Sequence, residues 1–484
     1  MERCAATLKA NGLGCVLDLV ENHRNGEPKE APFVFIYPGS IGNITGGRFE
    51  KGPQDFHPNV PADPAVPDDS ISFGRDLAHI NSPKRYVFDG LIGAVDWTTR
   101  ALDATGYRMD FMKGISTQFL LPFLNAKNMR GKFAVGEFWD QDRDKVYHWV
   151  HAPSAEGGMQ GRAMAFDFPL QHVLRDMCGG GVFDMHKLEH AGLLGIDAVH
   201  SVTFVENHDT DRNDGDKIVH GKMLAYAYIL TQEGIPSVFY RDYSEDAGCY
   251  GLRSRLEPLM RIHERLARGK AITRFVSESV FAYERTGGKR LLTVLNRANQ
   301  AAQVQITTGF QSGAVLTDYT GHGPAVTVQS GGLVTIQVPT NADGDGYVCY
   351  APQGQEIAIP ALPPHTTVQE YEGSADLDIS PAFNGKQTTV CRIWCRANTP
   401  ISGEVTAQRT GWAANAQLRL NITAEDGISA GEAKLKAING GAIAGKAGKT
   451  GWYTISITGQ NLPDSIGKQG QAFVVAVKYT AGEM

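Results

Sequence analysis

The chain lacks any apolar run near the roughly 18 residues of a membrane-spanning helix, so no membrane partner is expected. Its opening stretch, MERCAATLKANGLG, has no continuous apolar core of the kind a secretory leader needs and reads instead as the end of a helix that stops at Gly12. Cysteine is sparse. Cys4, Cys15, Cys178, Cys249, Cys349, Cys391 and Cys395 are odd in number and without metal-ligand spacing, which excludes a full disulfide framework. Cys391 and Cys395 in CRIWC invite a bridge, but four residues along a strand span about 13 Å, well beyond the roughly 7 Å limit between bridged Cα atoms. There is no basic stripe either. With 46 Lys and Arg against 52 Asp and Glu, the net charge is -6, which argues against nucleic acid and favours neutral or weakly polar substrates.

What is present is a globular composition, 42% hydrophobic and 20% charged over 484 residues, long enough for two or more cores. After the first helix, GCVLDLVENH is a near-continuous apolar strand ending at Asn22 and His23. Residues 25–89 are rich in Gly and Pro and read as a loop-rich excursion. Strand and helix signals then alternate. GLIGAVDWTTRALDAT is a helix and GYRMDF a strand; STQFLLPFLNAKNM (helix), KFAVGEF (strand), DKVYHWVHA (helix), RAMAFDF (strand) and PLQHVLRDM (helix) follow. SVTFVEN (strand), KIVHGKMLAYAYILTQ (helix), IPSVFY (strand) and EPLMRIHERLARG (helix) complete the series. Short buried strands alternating with helices imply parallel pairing, in a barrel or in an open doubly wound sheet. Beyond residue 272 the helical period disappears. The expected organisation is a β/α catalytic domain over 1–24 and 90–272, the excursion 25–89, an antiparallel β domain 273–352, a linker 353–367 and a β-sandwich module 368–484.

The strands share one trait, polar residues gathered at their carboxyl ends. Asn22 and His23 end the first, Arg108 and Asp110 the second, Glu137 the third, and His208 and Asp209 the segment FVENHD. That is the active-site face of a (β/α) barrel, whereas an open sheet would usually carry a Gly-rich phosphate turn after its first strand, and none is present. Arg108 and Asp110, two apart on a strand, point to the same side, so the guanidinium favours an ionised, nucleophilic carboxylate. Glu137, flanked by Phe138 and Trp139, would sit in a more apolar pocket suited to a protonated acid. Two carboxyl groups with opposed protonation are the minimum for retaining glycoside hydrolysis.

LDLVENH, GYRMDFMKG, VGEFWD and FVENHD resemble, in order, the four signature regions of the α-amylase family, glycoside hydrolase family 13, with wording close to its bacterial, archaeal and plant α-amylases. DFMKG departs from the Lys-His of many members and matches the Lys-Gly of the plant and archaeal branches. The likeness covers roughly residues 1 to 352. It implies a (β/α)8 TIM barrel of class α/β followed by all-β C-terminal domains. GCVLDLV corresponds to the third barrel strand and IPSVFY to the last, so the expectation is a barrel lacking its first two strands. By position, the resemblance implies Asp110 as nucleophile, Glu137 as general acid/base and Asp209 as a third carboxylate steadying the oxocarbenium-like sugar. His23, Arg108 and His208 would contact the sugar or the nucleophile, and Lys113 an adjacent glucose. A structural calcium would take Asn22, Asp76 and the carbonyl of Gly114. The implied activity is endo-hydrolysis of α-1,4-glucans, with secretion as the family's usual context; a transglycosylase, an oligo-α-glucosidase or a non-catalytic glucan-binding protein are the alternatives.

Each residue also has a plainer reading. A solitary Arg-x-Asp is more often a structural ion pair than a catalytic one. His57, His79 and His200 read as structural or surface residues, and Phe138 and Trp139 as packing. Trp394, Trp412 and Trp452 either form a sugar-stacking face or fill the core of the last module.

Overall fold

The computed structural model describes residues 2–24, 51–61, 63, 75–342, 344–359, 368–375, 385, 387–407, 415–436, 440–461 and 473–480. Most of the predicted excursion, the end of the predicted linker and Trp412 lie outside these residues. The chain divides into two compact units, one of Met1–Ala134, Ser154–Gly157 and Ala361–Met484, the other of Val135–Pro153 and Gly158–Pro360.

In chain order the β/α elements are α1 (Glu2–Ala10), β1 (Val16–Leu19), β2 (His23–Arg24), β3 (Arg75–Asp76), α2 (Tyr86–Leu102), β4 (Gly106–Met109), α3 (Thr117–Leu124) and β5 (Phe133–Gly136). They continue as α4 (Arg143–His151), β6 (Met164–Phe166), α5 (Phe168–Cys178), β7 (Ser201–Phe204), α6 (Lys222–Thr231), β8 (Ile235–Ser237), α7 (Tyr240–Tyr243) and α8 (Arg253–Arg265). The strands β9 (Ala271–Val276), β10 (Val280–Arg285), β11 (Leu291–Asn296), β12 (Ala302–Thr307), β13 (Val315–Asp318), β14 (Val326–Thr327), β15 (Leu333–Val338) and β16 (Tyr347–Pro352) follow. The last module holds β17 (Val368–Ala375), β18 (Gln387–Cys395), β19 (Pro400–Ala407), β20 (Gln417–Ala424), β21 (Ser429–Lys436), β22 (Gly441–Lys446), β23 (Gly451–Gln460) and β24 (Phe473–Thr480).

In the first unit β1 and β4 run parallel, with Asp18 opposite Arg108. The Phe133 N–H, opening β5, donates to the Thr105 carbonyl at 3.3 Å, so the next strand begins alongside β4. Strand β1 buries Leu17 and Leu19 and exposes Val16 and Asp18. Helix α2 buries Val87, Leu91, Val95 and Leu102 along one stripe, the spacing that faces a helix onto a sheet. The last module is two antiparallel four-stranded sheets, ordered β17-β24-β19-β22 and β18-β23-β20-β21, enclosing Ile393, Leu418, Leu420, Ile455, Ile457 and Tyr479. Ala101 of α2 belongs to that same core and Trp97 packs against it, so the sandwich and a helix of the β/α region are one hydrophobic body.

In the second unit β5, β6, β7 and β8 pair in parallel in chain order. With β1 and β4 this makes six parallel strands separated by helices, the architecture the alternation predicts. Helices α5, α6 and α8 press Leu170, Leu224, Leu256 and Ile262 onto Phe281, Tyr283 and Leu295 of the antiparallel region, where β14-β13-β16-β11-β10-β9 form one sheet and β12-β15 another. Two elements are shorter than their hydrophobicity suggests. The helix predicted from Lys217 begins at Lys222, because Gly221 at φ +63 interrupts the backbone, and IPSVFY pairs only over Ile235–Ser237 before the chain turns into α7. Among the described residues no helix is long and apolar enough to cross a membrane.

Candidate active site

Asp110 stands just beyond β4, its N–H donating to the Leu19 carbonyl at 3.0 Å, which ties it to the end of β1. Arg108 Nη1 lies 2.5 Å from Asp110 Oδ1 and 2.7 Å from Asp18 Oδ1, so one guanidinium serves two carboxylates of opposite neighbours on the same face. Lys113 follows in the short turn Met112–Gly114, entered through Phe111 at φ +51.

At the end of β1, Asn22 is fully buried. Its amide nitrogen donates to Asp76 Oδ1 at 3.1 Å and lies 3.4 Å from His23 Nδ1, while its Oδ1 is buried with no hydrogen-bond partner among the described residues. His23 and Asp76 face each other in the β2–β3 pair. Gly114 closes the cradle: a Cβ there would stand 2.2 Å from Asn22 Oδ1, so a larger residue would have to displace the Asn22 amide. A buried amide oxygen without a donor, a carboxylate and an adjacent main chain form an oxygen set of the kind a hard cation takes. The sequence-predicted metal residues are thus brought together, and His79 Nε2, 2.9 Å from the Glu21 carbonyl, helps hold them there. Burial alone would raise the carboxyl of neighbouring Asp63, but the His57 and His79 rings, 3.8 and 3.5 Å from its Oδ2, and the hydrogen bond from the Asn81 amide outweigh it and hold Asp63 well below the usual carboxylate range. His57 and His79 therefore act as partners of Asp63.

Glu137 follows β5 with its side chain buried. Phe138 stacks on Trp149 with centroids 5.5 Å apart, and Trp139 on Phe168 at 4.6 Å, so both aromatics pack, as their plainer reading has it. Beyond β7 the polar cluster divides into supports and accessible groups. Asn207 Oδ1 accepts the N–H groups of Asp209 at 2.9 Å and Thr210 at 2.8 Å, building the turn. Glu206 is buried; its Oε2 accepts the Ile218 N–H at 3.1 Å and lies 3.2 Å from Lys222 Nζ, and burial pushes its carboxyl up against those partners. Asp211 accepts the Tyr250 hydroxyl at 2.7 Å and is paired with Lys217 and Arg241. His208 and Asp209 remain accessible, at 49% and 39% side-chain exposure, with Nε2 and Oδ2 3.1 Å apart.

Sequence reading missed the brace beneath this turn. Lys222 Nζ also lies 2.5 Å from Asp242 Oδ1, and Asp242 Oδ2 accepts the Tyr226 hydroxyl at 2.6 Å. The signal was a lysine in a helix whose every residue is buried. Asp110 belongs to the first unit, Glu137 and Asp209 to the second.

No protein-family model matches the chain. An α-amylase of Geobacillus stearothermophilus is 29% identical over 268 residues, 50% of this chain and 48% of that one. A cyclomaltodextrin glucanotransferase of the same species is 25% identical over 374 residues, 72% of this chain and 51% of that one. The chain spans about half the length of the curated relatives it matches. Among solved structures, α-amylase I from Eisenia fetida, in a mutant complex with maltohexaose, is similar in fold, with a TM-score of 0.50 and 17% identity over 70% of this chain and 81% of that one. Parallel β/α strands followed by antiparallel domains are the fold this chain shares with that α-amylase. The chain is a relative of the α-amylases and cyclomaltodextrin glucanotransferases of glycoside hydrolase family 13.

Proposed function

We propose that the chain acts on α-1,4-glucans by retaining hydrolysis. The observation that carries this reading is the Arg108–Asp110 pair at the end of β4, a carboxylate 2.5 Å from a guanidinium that also reaches Asp18. In this reading Asp110 attacks the anomeric carbon as Glu137 protonates the departing glycosidic oxygen. Glu137 then takes a proton from the water that releases the sugar from Asp110. Asp209 supplies negative charge to the oxocarbenium-like transition state, with His23, Arg108 and His208 placed to bind the sugar and Lys113 an adjacent glucose. Asn22, Asp76 and the Gly114 carbonyl would hold a calcium ion, whose contribution is to fix the excursion to the end of β1. Incubation with maltooligosaccharides, followed by proton NMR of the first product anomer and by chromatography, is the test. α-Anomeric products of several lengths support an endo-hydrolase, and an absence of new reducing ends refutes it.

A relative that is a glucanotransferase favours transglycosylation as the second reading. Products longer than the substrate would select it. The resemblance further implies an extracellular setting, which fractionation of the source cells would test. For the last module we propose sugar stacking. Trp394 and Trp452 are register partners with ring centroids 5.3 Å apart, on the face opposite buried Ile393, Cys395 and Tyr453, and Arg392 lies over the Trp452 ring. Replacing both with Ala should reduce adsorption to granular starch; unchanged adsorption refutes the role.

A further inference from the structure

Within the second unit, three potential metal ligands converge far from the strand ends discussed above. His151 is the last residue of α4; Asp197 and His200 lie three residues apart just before β7. His151 Nε2 is 2.5 Å and His200 Nδ1 2.8 Å from the same oxygen, Asp197 Oδ2, and the three ligand atoms all lie within 4.8 Å of one another. The two imidazoles meet edge to face, centroids 4.8 Å apart at 82°, so their nitrogens approach the carboxylate from different directions. Tyr147, one turn earlier on α4, packs on the His151 ring at 4.5 Å and fixes its orientation.

We propose that His151, Asp197 and His200 form a structural site for a borderline divalent transition metal, zinc above all. Two neutral imidazoles and one carboxylate are a donor set zinc takes, and calcium or magnesium, which prefer all-oxygen shells, do not. Ligands about 2.0–2.1 Å from zinc stand roughly 3.3 Å apart, so the cluster need open by less than about 1 Å as the metal replaces the two shared protons. All three side chains are half-buried, which leaves the remaining coordination position to water. The site sits at the amino-terminal end of β7, the opposite end from Asp209; in a parallel β/α fold that face serves stability, and the metal would clamp the end of α4 to the segment entering β7. The inference is independent of the glucan reading, because its readout is binding.

The test is titration of the chelator-stripped full-length chain with Co2+ and Zn2+ in the presence of excess Ca2+. Expected are one equivalent of Co2+ with the intense visible bands of tetrahedral coordination, displaced by Zn2+, and a melting temperature raised by a few degrees on zinc addition. His151→Gln and His200→Gln should each weaken Co2+ binding at least tenfold and remove the thermal shift. Bands that persist unchanged in both variants, or no band in the parent, overturn the proposal. Should a variant lose its native circular dichroism, the unaltered chain decides: zinc must protect His151 and His200 from diethyl pyrocarbonate in peptide mapping. Equal modification with and without zinc refutes the site.

Discussion

Arg108 holds Asp110 at 2.5 Å, two residues along the same strand end, and no intervening side chain shares that face. Asp110→Asn keeps the shape and removes the charge, so turnover of starch should fall to background while the circular dichroism and melting temperature stay near the parent's. Arg108→Ala should lower kcat by on the order of 10²-fold, because Asp110 and Asp18 lose their common counter-charge. Parent-like kcat in both variants excludes Asp110 as nucleophile.

Glu137→Gln separates the acid from the nucleophile. A glutamine cannot protonate a leaving oxygen, so activity on starch should drop by at least about 10²-fold, while glycosylation by α-glucosyl fluoride, whose leaving group needs no proton, should survive. Stopped-flow release of fluoride would show this as a burst. Equal losses on both substrates would assign Glu137 some other task.

How much of this was legible beforehand follows from period and chemistry. β/α alternation is a local signal, and it located the six strands because each carries its own apolar run and each helix its own stripe. Clustering at carboxyl ends marked Arg108, Asp110, Glu137, His208 and Asp209 for the same reason. What escaped the reading depends on long-range contact. Glu206 stands two residues before His208 in FVENHD, but Lys222 and Asp242, sixteen or more residues downstream, make it a buried support. Likewise His200 looks isolated until α4 brings His151 to Asp197.

Calcium removal offers a third check. Asn22 Oδ1 lies against Gly114 and the Asn22 amide reaches Asp76, so a chelator should lower the melting temperature and the activity together, and added Ca2+ should restore both. Asp76→Ala should reproduce the loss and resist rescue. Identical melting curves with and without chelator in a metal-stripped preparation would exclude a structural ion there.

Asp211 predicts acid behaviour. Burial would raise its carboxyl, but the Tyr250 hydroxyl, Lys217 and Arg241 outweigh it, and the folded-state value is lowered. A lowered carboxylate contributes stability that is fully present above its unfolded value near 3.8 and is lost as pH falls through the folded one. Asp211→Asn should therefore cost about 2 kcal/mol in urea unfolding at neutral pH, and the difference from the parent should shrink below about pH 4. A difference that stays constant into acid would mean the charge is not what stabilises this turn.

The most exacting prediction concerns the shared core of α2 and the last module. Ala101 is only 2% exposed and sits in one cluster with Ile393, Ile401, Leu418 and Tyr479, while Trp97 packs on its rim. A freely tethered binding module would have no such residue. Deleting the module from Ala361 onward strips the cover from one face of α2, so it should lower the melting temperature of what remains and expose apolar surface to dyes such as ANS. Deletion alone does not distinguish lost packing from a poor truncation, and Ala101→Glu in the full chain does. A carboxylate forced into that core costs several kcal/mol unless the module lifts away, so the variant should melt earlier and become susceptible to limited proteolysis within 353–367. If Ala101→Glu leaves both properties at the parent's values, the contact between α2 and the sandwich does not persist in solution.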